Sequence, residues 1–146
     1  VLIIDEAQDL PAELLEHVRL LSNLETDRQK LIQIVLIGQP ELKRMLDDPR
    51  LRQLRQRITV RFHLPPLDRA ETELYANWRM QVAGGNGRPT FSPWALRRIF
   101  RYAGGIPRLI NAVCDTALLA GYVESVDHLT GRHVGRAIAE LEGRPS

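Results

Sequence analysis

Two neighbouring carboxylates at the end of an apolar run are the first residues in this sequence that could do chemistry. Residues 1–4 read VLII and are followed directly by Asp5 and Glu6. A short, continuous run rich in β-branched residues predicts a strand buried on both faces, as in a parallel sheet covered by helices. Ligands of open α/β sheets bind beyond the carboxyl ends of the strands. Asp5 and Glu6 are therefore candidates for Mg²⁺ and water chemistry, with a solvated acidic turn as the alternative.

A second apolar run also has a polar side chain at the end of its predicted strand. Residues 31–37 read LIQIVLI and predict another buried strand, which stops at Gly38, Gln39 and Pro40. Hydrolysis of a Mg²⁺-bound nucleotide requires an acid to hold the metal, a group to position water, and positive charge for the γ-phosphate. Asp5 and Glu6 suit the first two roles. Gln39 could hydrogen-bond the attacking water or the γ-phosphate from the neighbouring strand.

Arginines are the candidates for the positive charge. Arg57 precedes a predicted third strand, and Arg108 stands at a helix start in the segment GGIPR. The alternatives are a surface salt bridge for Arg57 and a local carboxylate partner for Arg108. Arg57 also belongs to an arginine cluster that could track a phosphate backbone, face an acidic neighbouring subunit or form a solvated helix face. The cluster consists of Arg50, Arg52, Arg55, Arg57 and Arg61.

The first half of the chain must supply a sheet that holds these groups. Its pattern predicts a strand, a helix, a strand, two short helices and a third strand, which implies parallel pairing with right-handed crossovers and the α/β class. The predicted helices are residues 11–22, 41–47 and 50–56, the polar loop is 23–30, and the third strand is 58–62.

Two prolines at positions 65 and 66 close this region, so we place a domain boundary between 1–67 and 68–146. The second unit is predicted to be all α-helical. Asp68 and Glu71 form a capping box for a helix whose apolar face is Leu74, Tyr75, Trp78 and Val82. Three further helices begin near positions 93, 107 and 130.

Composition limits the protein class. The chain has 146 residues, 44% of them hydrophobic, one cysteine and a net charge of +2. These values exclude a disordered tail and an internal disulfide, and no apolar stretch is long enough for a membrane span. We find no export signal, so we expect a cytoplasmic location, with contact to the inner membrane only through regions outside this chain.

Four segments now carry a resemblance to a known family. VLIIDEAQDL resembles a Walker B strand, IVLIGQPEL a sensor 1 strand, LRQLRQRITVRFHLPPL an arginine-finger segment, and GGIPRLINAVCDTALL a sensor 2 helix. Their order, with HVRLLSNLET between the first two, resembles the AAA+ ATPases of the general secretion pathway protein A type and of the MSHA pilus biogenesis type. The resemblance covers nearly the whole chain. It implies a partial parallel P-loop NTPase sheet followed by a small helical lid with sensor 2.

The resemblance also implies a role for each candidate residue. Asp5 would coordinate Mg²⁺, Glu6 would activate water, and Gln39 would be sensor 1. Arg108 would be sensor 2 and would contact ATP from the lid. Arg57 would be the arginine finger inserted into the next subunit of a ring-type homo-oligomer, with Arg55 as the other option.

One motif of the family is missing from these residues. No G-x-x-x-x-G-K-[ST] sequence occurs, and the glycines at 84, 85 and 87 have no lysine and lie in the helical unit. The family carries this loop on an earlier strand. We therefore expect the sequence to be the carboxyl-terminal part of a longer ATPase, and we expect this part alone to be inactive.

The sequence is compatible with three functions. The first is ATP hydrolysis that drives or regulates assembly of a secretion or pilus machine with a membrane-associated partner. The second is a DNA-associated ATPase of the transposition-regulator type, for which the arginine cluster is the only local argument. The third is a nucleotide-gated scaffold that does not hydrolyse ATP.

Overall fold

A computed structural model describes residues 1–23, 25–26 and 29–144 of the chain. The chain divides into two compact units, Val1–His63 and Leu64–Ser146, and each is described by itself. We call them the first unit and the helical unit. The predicted boundary after residue 67 lies close to this division. The assignment of the first unit to a nucleotide-binding domain and of the helical unit to a lid stays a prediction.

The first unit is built around two parallel strands. β1 pairs with β4 so that Leu2 lies opposite Ile34 and Ile4 opposite Leu36, which is the parallel arrangement predicted for the first two apolar runs. Its elements are β1 (Leu2–Ile4), α1 (Ala12–Leu21), β2 (Glu25–Thr26), β3 (Gln29–Lys30), β4 (Ile34–Leu36), α2 (Pro40–Leu46) and α3 (Arg52–Arg57). The β2–β3 antiparallel pair replaces part of the predicted loop, residues 24, 27 and 28 of which lie outside the described residues.

The core of the first unit lies on one side of this two-stranded sheet. Leucines spaced along the helices bury themselves there because they recur on the same helix face. The buried residues are Ala7, Leu15, Leu42, Leu46, Leu51 and Leu54. On the other side, Ile3 is 62% exposed and Val35 is 42% exposed. The prediction that both strands are buried on two faces is therefore wrong, since the described residues cover only one face.

The predicted third strand over 58–62 is also wrong. No strand forms there, and Val60 and Phe62 are 80% and 84% exposed. The sequence alternates as a strand does, but alternation becomes a strand only when a neighbouring strand supplies hydrogen bonds. No backbone amide of residues 58–62 donates a hydrogen bond to the backbone of the described chain.

The helical unit has the four predicted helices. They are α4 (Arg69–Val82), α5 (Pro93–Ala103), α6 (Pro107–Val123) and α7 (Gly131–Leu141). The capping box at Asp68 and Glu71 forms as the sequence indicates, with Glu71 N donating to Asp68 Oδ1 at 2.8 Å. Ile99, Ile110 and Val134 are fully buried where α5, α6 and α7 meet.

Two details of the helical unit differ from the sequence prediction. The unit is not all α-helical, because β5 (Thr90–Phe91) and β6 (His128–Leu129) form a short parallel pair. A two-residue strand is too short to leave a period in the sequence.

The apolar face predicted for α4 is also largely wrong. Thr72 and Ala76 are buried, whereas Leu74, Trp78 and Val82 are 70%, 55% and 64% exposed. Small side chains let α4 approach its neighbours closely, and the large apolar residues lie on another face.

Candidate functional site

The structure brings Asp5, Glu6 and Gln39 to the same end of the β1–β4 pair. Backbone hydrogen bonds fix this arrangement beyond the last paired residues. Ile37 N donates to Ile4 O at 2.8 Å, and Ala7 N donates to Ile37 O at 2.9 Å. The two polar strand ends identified in the sequence are therefore neighbours in the fold, as expected for parallel strands.

Glu6 stands at a sharp change of chain direction. Its φ of 51° and ψ of 38° lie in the left-handed region, which is uncommon for a residue other than glycine. Its backbone N–H donates to Asp5 Oδ1 at 2.8 Å, and the next residue, Ala7, is fully buried at the start of a 3₁₀ turn. Strained backbone of this kind clusters at functional sites. Here the turn leaves both carboxylates exposed at the surface.

Gln8 connects the two strand ends, although its sequence position alone did not indicate this role. Its Nε2 donates to Glu6 Oε2 at 2.5 Å, and its Oε1 accepts from the backbone N–H of Gln39 at 3.0 Å. The Gln39 side chain also reaches Glu6 Oε2, with its Nε2 at 3.4 Å. A glutamine two residues after Glu6 is a polar residue near a strand end, which could have marked it as a candidate. Only the fold shows that its amide connects the segments that follow β1 and β4.

Gly38 provides the space for this bridge. A Cβ atom at this position would lie 2.6 Å from Gln8 Oε1 and 3.0 Å from a methyl carbon of Leu42. Any larger residue would therefore displace the Gln8 side chain or the start of α2. The glycine before Gln39, interpreted from the sequence as a strand break, also has a packing role.

The donor set of this cluster suits Mg²⁺. Mg²⁺ binds oxygen ligands and is usually held by one or two carboxylates, with water and substrate phosphates completing its shell. Asp5 and Glu6 offer two such carboxylates on the surface. Within the described residues, no group of three or more acidic, histidine or cysteine side chains could hold a metal by itself. Two surface carboxylates fit a binding mode in which water and phosphate oxygens complete the shell of the ion.

The arginine cluster is partly neutralised within the first unit. Arg50 forms an ion pair with Asp48 at 2.8 Å, and its side-chain hydrogen bond holds the pKa of that carboxyl below its usual value. Arg55 pairs with Asp47 at 3.2 Å. Arg57, the last residue of α3, is exposed and has no ion pair with any described residue. Of the two finger candidates, Arg57 is the one not engaged by a carboxylate of the described chain.

Arg108 lies in the helical unit, at the second residue of α6, and is exposed. The turn before it depends on glycine. Gly105 has a φ of 78°, and a Cβ atom there would lie 1.9 Å from Leu67 O. Leu67 N also donates to Gly105 O at 2.9 Å. This close backbone contact fixes the start of α6, and with it the position of Arg108 in the unit.

Comparison with known proteins agrees with the resemblance stated above. Residues 1–46 match the AAA domain family, a segment that includes Asp5, Glu6 and Gln39. The chain is 50% identical over 143 residues to general secretion pathway protein A of Aeromonas hydrophila. The aligned residues make up 98% of the chain and 26% of the relative. The chain thus spans about a quarter of that relative's length. Among the described residues, no helix is long and apolar enough to cross a membrane.

Proposed function

Because the chain is a relative of general secretion pathway protein A and carries part of an AAA domain, we propose that it works within an ATPase that hydrolyses ATP to drive or regulate assembly of an envelope secretion or pilus machine. One observation supports this best. The Glu6 carboxylate is held at the ends of two parallel strands by the amides of Gln8 and Gln39. A carboxylate oriented in this way is suited to accept a proton from water.

Each residue of the cluster has a distinct part in the proposed reaction. Both amides donate to Glu6 Oε2, so the carboxylate is fixed and its other oxygen, Oε1, accepts no hydrogen bond from the described residues. Glu6 would accept the proton of the attacking water as general base. Gln39, with its side-chain amide next to Glu6, would orient that water or contact the γ-phosphate.

Asp5 would hold Mg²⁺ together with the nucleotide. The bound ion would neutralise charge that develops on the phosphate oxygens. Asp5 also accepts the backbone N–H of Glu6. This hydrogen bond orients the Asp5 carboxylate relative to the strained turn.

The remaining roles extend the proposal to other subunits and partners. Arg57 would act as a finger in the next subunit of a ring-type homo-oligomer, and Arg108 would contact ATP as sensor 2. The machine would include a membrane-associated secretion or pilus protein. The ATPase would lie in the cytoplasm, next to the inner membrane through regions outside these residues. These roles rest on the similarity to general secretion pathway protein A.

The test is Glu6→Gln in the longer protein that contains this chain. The substitution keeps the size and hydrogen-bonding capacity of the side chain but removes its basicity. We expect ATP turnover to fall by about 10²- to 10⁴-fold, the usual contribution of a general base, while ATP affinity remains unchanged. Glu13→Gln, a charge-matched change at an exposed position of α1, serves as the control. Turnover at the unsubstituted rate in Glu6→Gln would contradict the proposed role.

A further inference from the structure

A second candidate site lies in the helical unit, between α5 and α7. The two helices line an open cavity of about 630 Å³. Clefts that bind small ligands have volumes of roughly 300 to 1,000 Å³. Its walls combine exposed guanidinium groups with aromatic and aliphatic surface, chiefly Trp94, Arg97, Arg98, Arg101, Tyr102 and Ile138.

Trp94 and Arg97 form an amphipathic pair at this cavity. Trp94 is 71% exposed, which is unusual for the largest apolar side chain in a folded domain. The Arg97 guanidinium lies 5.0 Å from the centroid of the indole ring. A cation–π contact at this distance holds the arginine beside the ring and leaves its charge available to a ligand.

Arg98 is held against the backbone of α7. Its Nη1 donates to Gly131 O at 3.2 Å. A Cβ atom on Gly135 would lie only 2.7 Å from Arg98 Cζ, so the guanidinium occupies the space that a larger residue would take. Fixing the side chain in advance lowers the entropy lost when a ligand binds.

The positive charge of the cavity is local and uncompensated. No carboxylate of the described residues pairs with Arg97, Arg98 or Arg101, and the one acid at the cavity, Glu142, pairs with Arg144 at 3.2 Å. Four arginines elsewhere in the unit have acidic partners, whereas Arg79 and Arg108 have none among the described residues. These pairs are Arg69 with Glu73, Arg88 with Asp127, and both Arg132 and Arg136 with Glu124.

We propose that this cavity binds a short acidic segment of a protein partner, with its carboxylates on the arginines and an apolar side chain against Trp94. Guanidinium groups bind carboxylates through paired, charge-assisted hydrogen bonds. Nucleic acid fits the charge less well. Residues 68–146 contain ten basic and eight acidic side chains, all ten bases being arginine, whereas binding along a phosphate backbone requires a wide basic surface. The inference does not depend on the nucleotide site.

The experiment uses the 146-residue chain and three probes of equal length. The first is a seven-residue peptide that alternates glutamate with leucine, the second replaces its glutamates by glutamine, and the third is a single strand of seven deoxythymidines. Trp78→Phe makes Trp94 the sole tryptophan, since the chain has two. Titration of Trp94 emission should then give saturable binding of the glutamate peptide, weakened by added salt.

Two charge reversals locate the binding surface. Arg101→Glu should weaken binding about tenfold or more, because it removes a charge-assisted hydrogen bond and adds repulsion. Arg79→Glu makes the same change at an exposed position of α4 and should change affinity less than about twofold, since screened charges outside the cavity contribute little. Circular dichroism verifies that both variants fold. If Arg101→Glu does not fold, Arg101→Gln replaces it. Any one of four results would overturn the proposal. Two concern the peptides: no saturable binding of the glutamate peptide, or equal binding of the glutamine peptide. The other two are tighter binding of the oligonucleotide and an equal loss of affinity in Arg79→Glu.

Discussion

The Glu6 carboxylate receives two side-chain amides on the same oxygen, and this asymmetry bears on its chemistry. Hydrogen bonds at Oε2 from Gln8 and Gln39 restrain both rotation and displacement of the group. Catalytic groups must be held close to their productive geometry, since small displacements cost large factors in rate. The proposed general base is thus oriented by its neighbours before any nucleotide binds.

Gln8 should accordingly act as a positioning residue. In the longer protein, Gln8→Ala should lower kcat by about 10- to 100-fold through misplacement of Glu6, with little change in KM for ATP. Gln81→Ala, at an exposed position of α4, is the matched control and should leave both constants unchanged. A fall in thermal stability and a rise in KM, with kcat preserved, would indicate a structural role for Gln8 instead.

Arg57 should act across a subunit interface. Completion of a phosphoryl-transfer site by an arginine finger is worth about 10³ to 10⁵ in rate, so Arg57→Ala in the longer protein should nearly abolish turnover and spare nucleotide affinity of the monomer. Arg55→Ala is the comparison, because Arg55 is already paired with Asp47. Mixing Arg57→Ala with Glu6→Gln subunits should restore part of the activity. Failure to restore it at any mixing ratio would place Arg57 in the site of its own subunit.

At the scale of elements, the link from α6 to α7 is secured by one acidic residue. Glu124, at the end of α6, accepts a hydrogen bond from His133 Nε2 at 3.2 Å and pairs with Arg136 and Arg132. Thr130 N donates to the other ring nitrogen of His133 at 2.9 Å, which leaves Nε2 as the donor. The hydrogen bond from His133, followed by the charges of the two arginines, lowers the pKa of Glu124 below its ordinary 4.5.

This lowered pKa predicts a pH dependence of stability. A carboxylate whose pKa is lower in the folded state stabilises the fold above its unfolded pKa, and this stabilisation is lost as the pH falls through the folded pKa. Glu124→Gln should therefore lower the melting temperature of the helical unit at pH 7, and the difference should shrink below pH 4.5. Glu140→Gln, an exposed acid on α7, is the control. A pH-independent difference in melting temperature would show that the charge of Glu124 is not the cause.

At the scale of the whole molecule, the two units differ in how they are stabilised. The helical unit closes its own core around Ile99, Ile110 and Val134, which are fully buried. The first unit has a sheet of two strands with one face exposed, and its segment 58–62 has no strand partner among the described residues. Local opening follows low burial and exposed backbone, so the two units should open with different free energies.

Amide exchange tests this difference. In the 146-residue chain, we expect slow exchange in residues 68–141 and fast exchange in 58–62, where backbone amides donate no hydrogen bond to the backbone of the described chain. Mass spectrometry of proteolytic segments resolves the two regions. Uniform protection across both units in a monomer would contradict the prediction, because residues 58–62 would then have hydrogen-bond partners for their backbone amides.

Much of the fold and part of the site could be predicted from local sequence patterns. Helices with strong caps, such as the one that begins after Asp68, form where the sequence indicates, because capping and periodicity act within a few residues. The parallel pairing of the first two strands and the similarity to general secretion pathway protein A were also predictable. The candidates Asp5, Glu6 and Gln39 were found because polar residues at strand ends are a local signal.

Only the tertiary structure decided what depends on neighbours distant in the chain. Gln8 bridges Glu6 and Gln39 through contacts that span 31 residues, and the gap at Gly38 has no sequence pattern. The segment 58–62 alternates as a strand but has no partner strand among the described residues, and α4 buries Thr72 and Ala76 while Trp78 stays exposed. The physical reason is the same in each case. A local pattern sets which conformations a segment prefers, whereas hydrogen-bond partners and close packing are supplied by other parts of the fold.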